Sequence, residues 1–209
     1  MVAIVNYGVG NLFSLQSSLN ELGIESVITN EKGLLEVADH LILPGVGAFG
    51  DAMNKLVESG LDEVVIQQAN AGKPLLGICL GMQMLFEWSE EYGKHNGLAL
   101  LKGHVISMEG QVPASLKIPQ MGWNSLRQEK ECPLLEGVPQ DSFVYYVHSY
   151  YAVENAENLV AWSEYGVRIP GLVQDRNVFG AQFHPEKSGK IGLKILENFA
   201  KMPADTWKQ

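Results

Sequence analysis

A chain of 209 residues, 46% of them hydrophobic and 19% charged, buries roughly 70% of its unfolded surface and needs no disulfide staples. The formal net charge of -9 argues against non-specific nucleic-acid binding, and two cysteines, Cys79 and Cys132, make no disulfide framework and fit a reducing compartment. The N-terminal stretch MVAIVNYGVGN has no basic region and meets glycine too early for a signal peptide, and no run reaches the ~18 apolar residues of a membrane span, so a soluble, cytoplasmic chain is expected.

Val2 to Val5 is a short continuous apolar run, which predicts a strand buried on both faces. Asn11 can cap a helix through Leu22, with Leu12, Leu15, Leu19 and Leu22 at helical spacing and Gly23 as its stop. Strands follow near Glu25 to Thr29 and His40 to Leu43, then helical stretches at Ala48 to Glu58 and Leu61 to Ala71. Leu75 to Cys79 reads as a strand and Leu80 to Trp88 as a helix. Strands alternating with helices predict a parallel sheet covered on both sides.

The second half changes character. Ala99 to Met108, Gly122 to Arg127, Phe143 to Val153, Leu159 to Glu164, Gly171 to Asp175 and Val178 to Phe183 read as strands joined by turn signals. Val173 to Val178 has the form of a hairpin, and a last helix is expected from Gly189 to Lys201. With no repeat or linker in the sequence, residues 1–209 are expected to form one α/β domain. It would be a three-layer sandwich with a mixed, mostly parallel sheet and antiparallel additions.

GICLGMQ, residues 77 to 83, puts Cys79 where a strand ends and a helix begins. In open α/β sheets the active crevice lies beyond the carboxyl ends of the strands. A nucleophile at a tight strand-to-helix turn is presented there, glycines let the turn close, and a helix N-terminus favours a thiolate and offers N–H groups to an oxyanion. Taken alone, the pattern fits a small buried hydrophobe equally well. A thiolate also needs a proton-transfer partner. His40 and His95 suggest no role, and His104 sits in a predicted strand. His184 closes VFGAQF and is followed by Pro185 and Glu186; on extended chain Glu186 could hold one imidazole nitrogen while the other faces a thiol. A solvated strand-end histidine is the plainer alternative. A metal reading of this pair lacks further ligands at sensible spacing.

LILPGVGAFG, residues 41 to 50, is another strand followed by a glycine-rich loop whose N–H groups could cradle an anion, or form a simple tight turn. Gly8-Val9-Gly10 after the first strand, with Glu31 downstream, has a dinucleotide-binding look. Phe13, however, stands where the third small residue of that fingerprint belongs. VYYVHSYYAV places His148 in an aromatic strand of core character, and Cys132 in ECPLLEG reads as structural.

PGVGAFG, GICLGMQ, VHSYY and FHPEKS, in this order and across nearly the whole chain, resemble the class I (triad) glutamine amidotransferases. YGVGNLFS, PQMGWN, YVHSYY and HPEKSG are similar to the branch that serves imidazole glycerol phosphate synthase. Branches serving anthranilate, GMP or carbamoyl phosphate share the triad but usually not MGWN or HPEKS. Asn6 departs from the Asp that many members carry. The resemblance implies a glutamine amidotransferase-like, flavodoxin-like fold and a Cys79–His184–Glu186 triad that hydrolyses glutamine through a thioester. It implies an oxyanion site at Val46, Gly47 and Leu80, and substrate contacts at Gly45, Gln83, His148, Ser149 and Tyr150. It implies no cofactor and no metal. It further implies a heterodimer with a (β/α)8-barrel cyclase subunit that receives ammonia through a shielded channel, with Asn11, Met121, Trp123 and Lys187 as candidate contacts. A glycine loop that flips cheaply predicts weak activity without the partner. The alternatives are another triad amidotransferase, or a non-catalytic dinucleotide-binding or regulatory module in which Cys79 is inert.

Overall fold

The first strand dictates a covered sheet. Val2 and Ile4 point to one face, Ala3 and Val5 to the other, and all four are buried, so each face needs a layer over it. A computed structural model of the chain describes residues 1–204 and 206–207. Its strands are β1 (Val2–Val5), β2 (Ser26–Thr29), β3 (His40–Gly45), β4 (Leu75–Cys79), β5 (Trp88–Ser89), β6 (His95–Asn96), β7 (His104–Ser107), β8 (Gln120–Gln128), β9 (Ser142–His148), β10 (Tyr150–Val153), β11 (Leu159–Glu164), β12 (Arg168–Asp175) and β13 (Val178–Ala181). Its α-helices are α1 (Leu12–Glu21), α2 (Lys32–Val37), α3 (Phe49–Glu58), α4 (Leu61–Asn70), α5 (Leu80–Met84) and α6 (Gly189–Lys201).

Among the described residues, the larger sheet runs β2-β1-β3-β4-β13-β12-β11-β8-β9 and a smaller one runs β10-β7-β5-β6. From β2 to β13 the pairings are parallel; from β13 to β9 they are antiparallel. The expected mixed sheet therefore forms, and β12 and β13 make the expected hairpin. One face packs Ile4, Ile42 and Leu76 against Leu15 and Leu19 of α1 and Ile195, Leu196 and Phe199 of α6. The other packs Ala3, Leu41 and Leu75 against α2, α3, α4 and α5, with Val105 and Ala152 of the small sheet in the same core. This is the expected three-layer arrangement, with the second sheet as an addition.

Several expectations need correction. The helix predicted over 80–88 stops at Met84 because tertiary partners take its carbonyls: Leu98 N–H bonds to Met84 O, Leu100 and Leu101 to Leu85 O, and Ala99 to Phe86 O, at 2.8–3.1 Å. Gly97 permits this approach, since a Cβ there would meet the Phe86 carbonyl. The strand expected from Ala99 consequently begins only at His104. The long strand expected over 143–153 breaks at Ser149, where the chain leaves one sheet and joins the other. Val178 to Ala181 is shorter than expected, and the strand on Arg168 is longer than the predicted Gly171 start. The short β5, β6 and α2 carry too few residues for a readable period. Asn11 occupies the N-cap position of α1 but makes no side-chain cap bond, because its backbone (φ −89°, ψ 66°) is not in the extended region from which a cap side chain turns back onto the helix.

Close packing at the site edge and open space elsewhere predict opposite outcomes for two glycines. A Cβ on Gly81 would strike the Leu43 carbonyl, whereas one on exposed Gly33 in α2 meets nothing within 4 Å. Gly81→Ala should cost roughly 1–3 kcal/mol and lower the thermal midpoint by roughly 3–10 °C. Gly33→Ala should gain roughly 0.5–1 kcal/mol and raise it slightly. Calorimetry of the two variants checks both signs.

Candidate active site

β3, β4 and β13 are adjacent and parallel, so their carboxyl ends meet on one edge of the sheet. Cys79 is the last residue of β4 and the residue before α5, with φ 55° and ψ −112°. Positive φ in a residue with a side chain costs on the order of 1–3 kcal/mol and persists only where the surroundings impose it. Here glycines impose it. A Cβ on Gly45, at the end of β3, would lie 2.6 Å from Gly81 N, and one on Gly77 would lie 2.7 Å from Gly81 O. Backbone thus packs directly on backbone around the turn, and Cys79 is pushed into a strained elbow with its sulfur at the rim of a cavity.

His184 reaches this edge from β13, but not on extended chain as the sequence suggests. β13 ends at Ala181, and His184 precedes a 3-10 turn at Pro185–Lys187. The turn still brings Glu186 to the ring. His184 Nδ1 lies 2.8 Å from Glu186 Oε1, and both side chains are only 4% exposed. Ser188 Oγ donates to His184 O at 2.6 Å and accepts from Tyr145 N–H at 3.0 Å, bracing the turn against β9. His184 Nε2 is buried and has no hydrogen-bond partner among the described residues. Burial by itself lowers the imidazole pKa; interaction with the Cys79 sulfur and then with the Glu186 carboxylate outweighs it and raises the value to about 9. This imidazole is built to carry a proton beside the Cys79 sulfur.

The cavity encloses about 740 Å³, within the usual range for small-molecule sites. Cys79, Leu80, Val46, Gly47, Gln83, His148, Ser149, Tyr150 and His184 all line it, so the glycine loop, the elbow and the VHSYY segment converge. Gly45 lies just behind, on a small cavity of about 10 Å³ that Asn11 and Glu186 also line. His148 is buried: Nδ1 donates to Tyr150 O at 2.8 Å, and Nε2 sits 3.1 Å from Oε1 of Gln120. Half a turn of that amide would bring its otherwise unpaired NH2 onto the ring nitrogen. Burial, reinforced by the nearby His184 charge and only partly opposed by the Tyr150 bond, lowers the His148 pKa to about 4. The His148 ring is therefore neutral at pH 7.

Residues 3–202 match the family described as Glutamine amidotransferase class-I. The chain belongs to this family. Among the relatives of this amidotransferase are the "Imidazole glycerol phosphate synthase subunit HisH" of Desulfitobacterium hafniense, 53% identical over 202 residues covering 96% of this chain and 94% of the relative, and that of Bacillus cereus, 50% identical over 208 residues covering 100% and 97%. Solved structures share the fold at 22% identity. One described as a glutamine amidotransferase has a TM-score of 0.74 and covers 95% of this chain and 98% of that one. The PurLQS structure from Thermotoga maritima has a TM-score of 0.72 with 95% and 96% coverage.

The sequence alone overlooks several residues of the site. Glu91 lines the cavity and accepts the Phe49 N–H at 2.6 Å. Burial raises its pKa, against the pull of that bond. Tyr7 donates to Pro44 O at 2.7 Å, with burial keeping its phenol protonated. These two hold the ends of the Gly45–Ala48 loop. Gln120 and Gln182 are also buried beside the site. Gln182 alone leaves a trace in the sequence, as a polar residue inside the apolar run VFGAQF. Met121 and Trp123 are 64% and 54% exposed on β8, Asn11 and Lys187 are exposed, and Trp123 approaches Gly189, two residues from Lys187. Cys132 is buried, which raises its thiol pKa to about 11. Among the described residues no group of three or more His, Cys, Asp or Glu is arranged to hold a metal.

The buried His148 predicts an acid limb of stability. The folded ring takes a proton only near pH 4, whereas an unfolded imidazole takes it near 6.5, so stability falls as pH drops through that window. The loss approaches about 3 kcal/mol at the bottom of the window. Urea midpoints between pH 7 and 4 should fall more steeply for the native chain than for His148→Gln.

Proposed function

We propose that this chain is the glutaminase subunit of an imidazole glycerol phosphate synthase. The observation that carries the proposal is the strained Cys79 beside the buried His184–Glu186 pair, in a chain about half identical over its whole length to subunits of that name. In this reading residues 1–209 act as one amidotransferase domain. The two free, buried cysteines suit a cytoplasmic setting.

The chemistry follows from the proton inventory. The Cys79 thiolate attacks the carboxamide carbon of glutamine, and the carbonyl oxygen becomes an oxyanion. N–H groups of Val46, Gly47 and Leu80 receive it. As the C–N bond breaks, protonated His184 gives its proton to the departing nitrogen, which leaves as ammonia. Neutral His184 then takes a proton from water, the hydroxide attacks the thioester, and the C–S bond breaks to give glutamate and the thiolate. Glu186 keeps Nδ1–H pointed at itself, so Nε2 is always the working nitrogen. Glu91 provides a carboxylate for the substrate ammonium, and the backbone at His148, Ser149 and Tyr150 provides N–H groups for its carboxylate. Gln83 and Gly45 complete the contacts.

Ammonia released into water is protonated and lost as a nucleophile, so the reaction favours a partner that receives it directly. In this reading the partner is a (β/α)8-barrel cyclase subunit forming a heterodimer. The product would cross a shielded channel, and the lyase half of the reaction would occur there. Exposed Asn11, Met121, Trp123 and Lys187 are the candidate contacts in this reading. Gly47 sits at φ 93° with open space around it, so peptide flips in the loop are cheap. The oxyanion site can then depend on the partner's loading; one such donor is worth roughly 3 kcal/mol, or about a hundredfold or more in rate.

Glutamine hydrolysis should be slow for the chain alone, faster with the cyclase, and at least about a hundredfold faster with the cyclase and its ligand. Equal rates in all three would remove the coupling. Cys79→Ala and His184→Ala should abolish glutamine-dependent synthesis while synthesis from ammonium salts persists. Loss of both activities would point away from a glutaminase role.

A further inference from the structure

Gln182 is completely buried just past β13 and takes no part in the proton transfers above. Its orientation follows from a chain of hydrogen bonds with one fixed end. The Tyr150 carbonyl can only accept, and it takes His148 Nδ1–H at 2.8 Å and Gln83 Nε2–H at 2.9 Å, which fills both lone pairs. Gln83 must therefore turn its NH2 edge toward Tyr150. The second hydrogen of that nitrogen reaches Gln182 Oε1 at 3.0 Å. Gln182 is thus held with its oxygen toward Gln83 and its NH2 toward Cys79, where Nε2 lies 3.9 Å from Sγ. The reversed amide would set two NH2 groups against each other and aim a carbonyl oxygen at the sulfur.

The sulfur has a second neighbour of opposite character. The Val147 carbonyl lies 3.8 Å from Sγ and can only accept. It suits an S–H and repels a thiolate, while the Gln182 N–H suits the thiolate and has nothing to gain from an S–H. The His184 imidazole and the Tyr7 phenol also face the sulfur. Beside them this acceptor and this donor act on Cys79 in opposite senses, and of these two only Gln182 acts through a side chain open to substitution.

We propose that Gln182 is a positioning residue whose N–H, oriented through Gln83 by the Tyr150 carbonyl, holds the Cys79 thiolate and links it to the strand that meets substrate. This rests on the reading of Cys79 as the nucleophile. Gln83 and Tyr150 line the cavity, so a ligand that moves β10 also moves the amide facing the sulfur. The residue touches no substrate; it acts through the nucleophile.

Alkylation of the full chain by iodoacetamide tests the proposal, with the rate read at the Cys79 peptide by mass spectrometry across mildly acidic to alkaline pH. Gln182→Glu keeps the shape and puts an oxygen toward the sulfur. It should move the curve up by about one pH unit, slowing alkylation roughly tenfold along its rising limb, with rates converging on the native value at high pH. Gln182→Met and Gln83→Met should move the curve in the same direction by less, and either decides the matter if Gln182→Glu does not fold. Convergence at high pH separates this role from a structural one, which would scale all rates alike. Curves that superimpose on the native curve, or differ by one factor at every pH, would overturn the role of Gln182 while leaving Cys79 a nucleophile. A native Cys79 that resists alkylation at every pH would overturn both.

Discussion

Everything at the site depends on backbone lying against backbone at the end of β3 and β4. Gly45, Gly77 and Gly81 leave no room for a Cβ among them, and the turn that results forces Cys79 to φ 55°. A strained elbow of this kind costs free energy locally, and the buried core on both faces of the sheet offsets it. The same contact fixes where α5 begins, and Leu80, its first residue, lines the cavity beside Cys79. Move the turn by an ångström and Cys79, Leu80 and the loop after β3 no longer line one cavity together.

Two buried histidines show how environment divides one residue type into two jobs. His184 and His148 are both withdrawn from water, which disfavours charge on either ring. His184 faces a carboxylate and a sulfur, and its pKa rises to about 9. His148 faces a carbonyl and an amide, feels the charge of His184, and falls to about 4. One is therefore a proton carrier and the other a neutral brace that pins the break between β9 and β10. Burial alone predicts the lowered value of His148; the sulfur and carboxylate beside His184 reverse it there.

The loop after β3 is held at both ends and loose between them. Tyr7 fixes Pro44, and Glu91 fixes Phe49 at the start of α3. Between these anchors Val46 and Gly47 are exposed, and a Cβ added to Gly47 would meet no described residue within 4 Å beyond its chain neighbours. Glu91 also lines the cavity, so the carboxylate that anchors the loop faces whatever occupies the cavity. The loop's geometry and the occupancy of the cavity are thereby tied together through one side chain.

The local sequence determined what local physics controls. Apolar runs gave buried strands, leucine spacing gave α1, and amphipathic α6 formed over the predicted Gly189 to Lys201. Glycines flanking Cys79 and the His-Pro-Glu spacing marked the chemistry, though the pairing of His184 with Glu186 arises from a 3-10 turn and not from extended chain. What needed the tertiary structure were the outcomes set by partners distant in sequence. Helix α5 ends early because residues 98–101 claim its carbonyls. The VHSYY strand divides because two different sheets compete for it. Glu91, Tyr7, Gln120 and Gln182 enter the site through contacts made 37 to 103 residues away, except Gln120, whose partner His148 is 28 residues on. A sequence records each residue's capacity to donate, accept or strain, but only the fold brings together the groups that use that capacity.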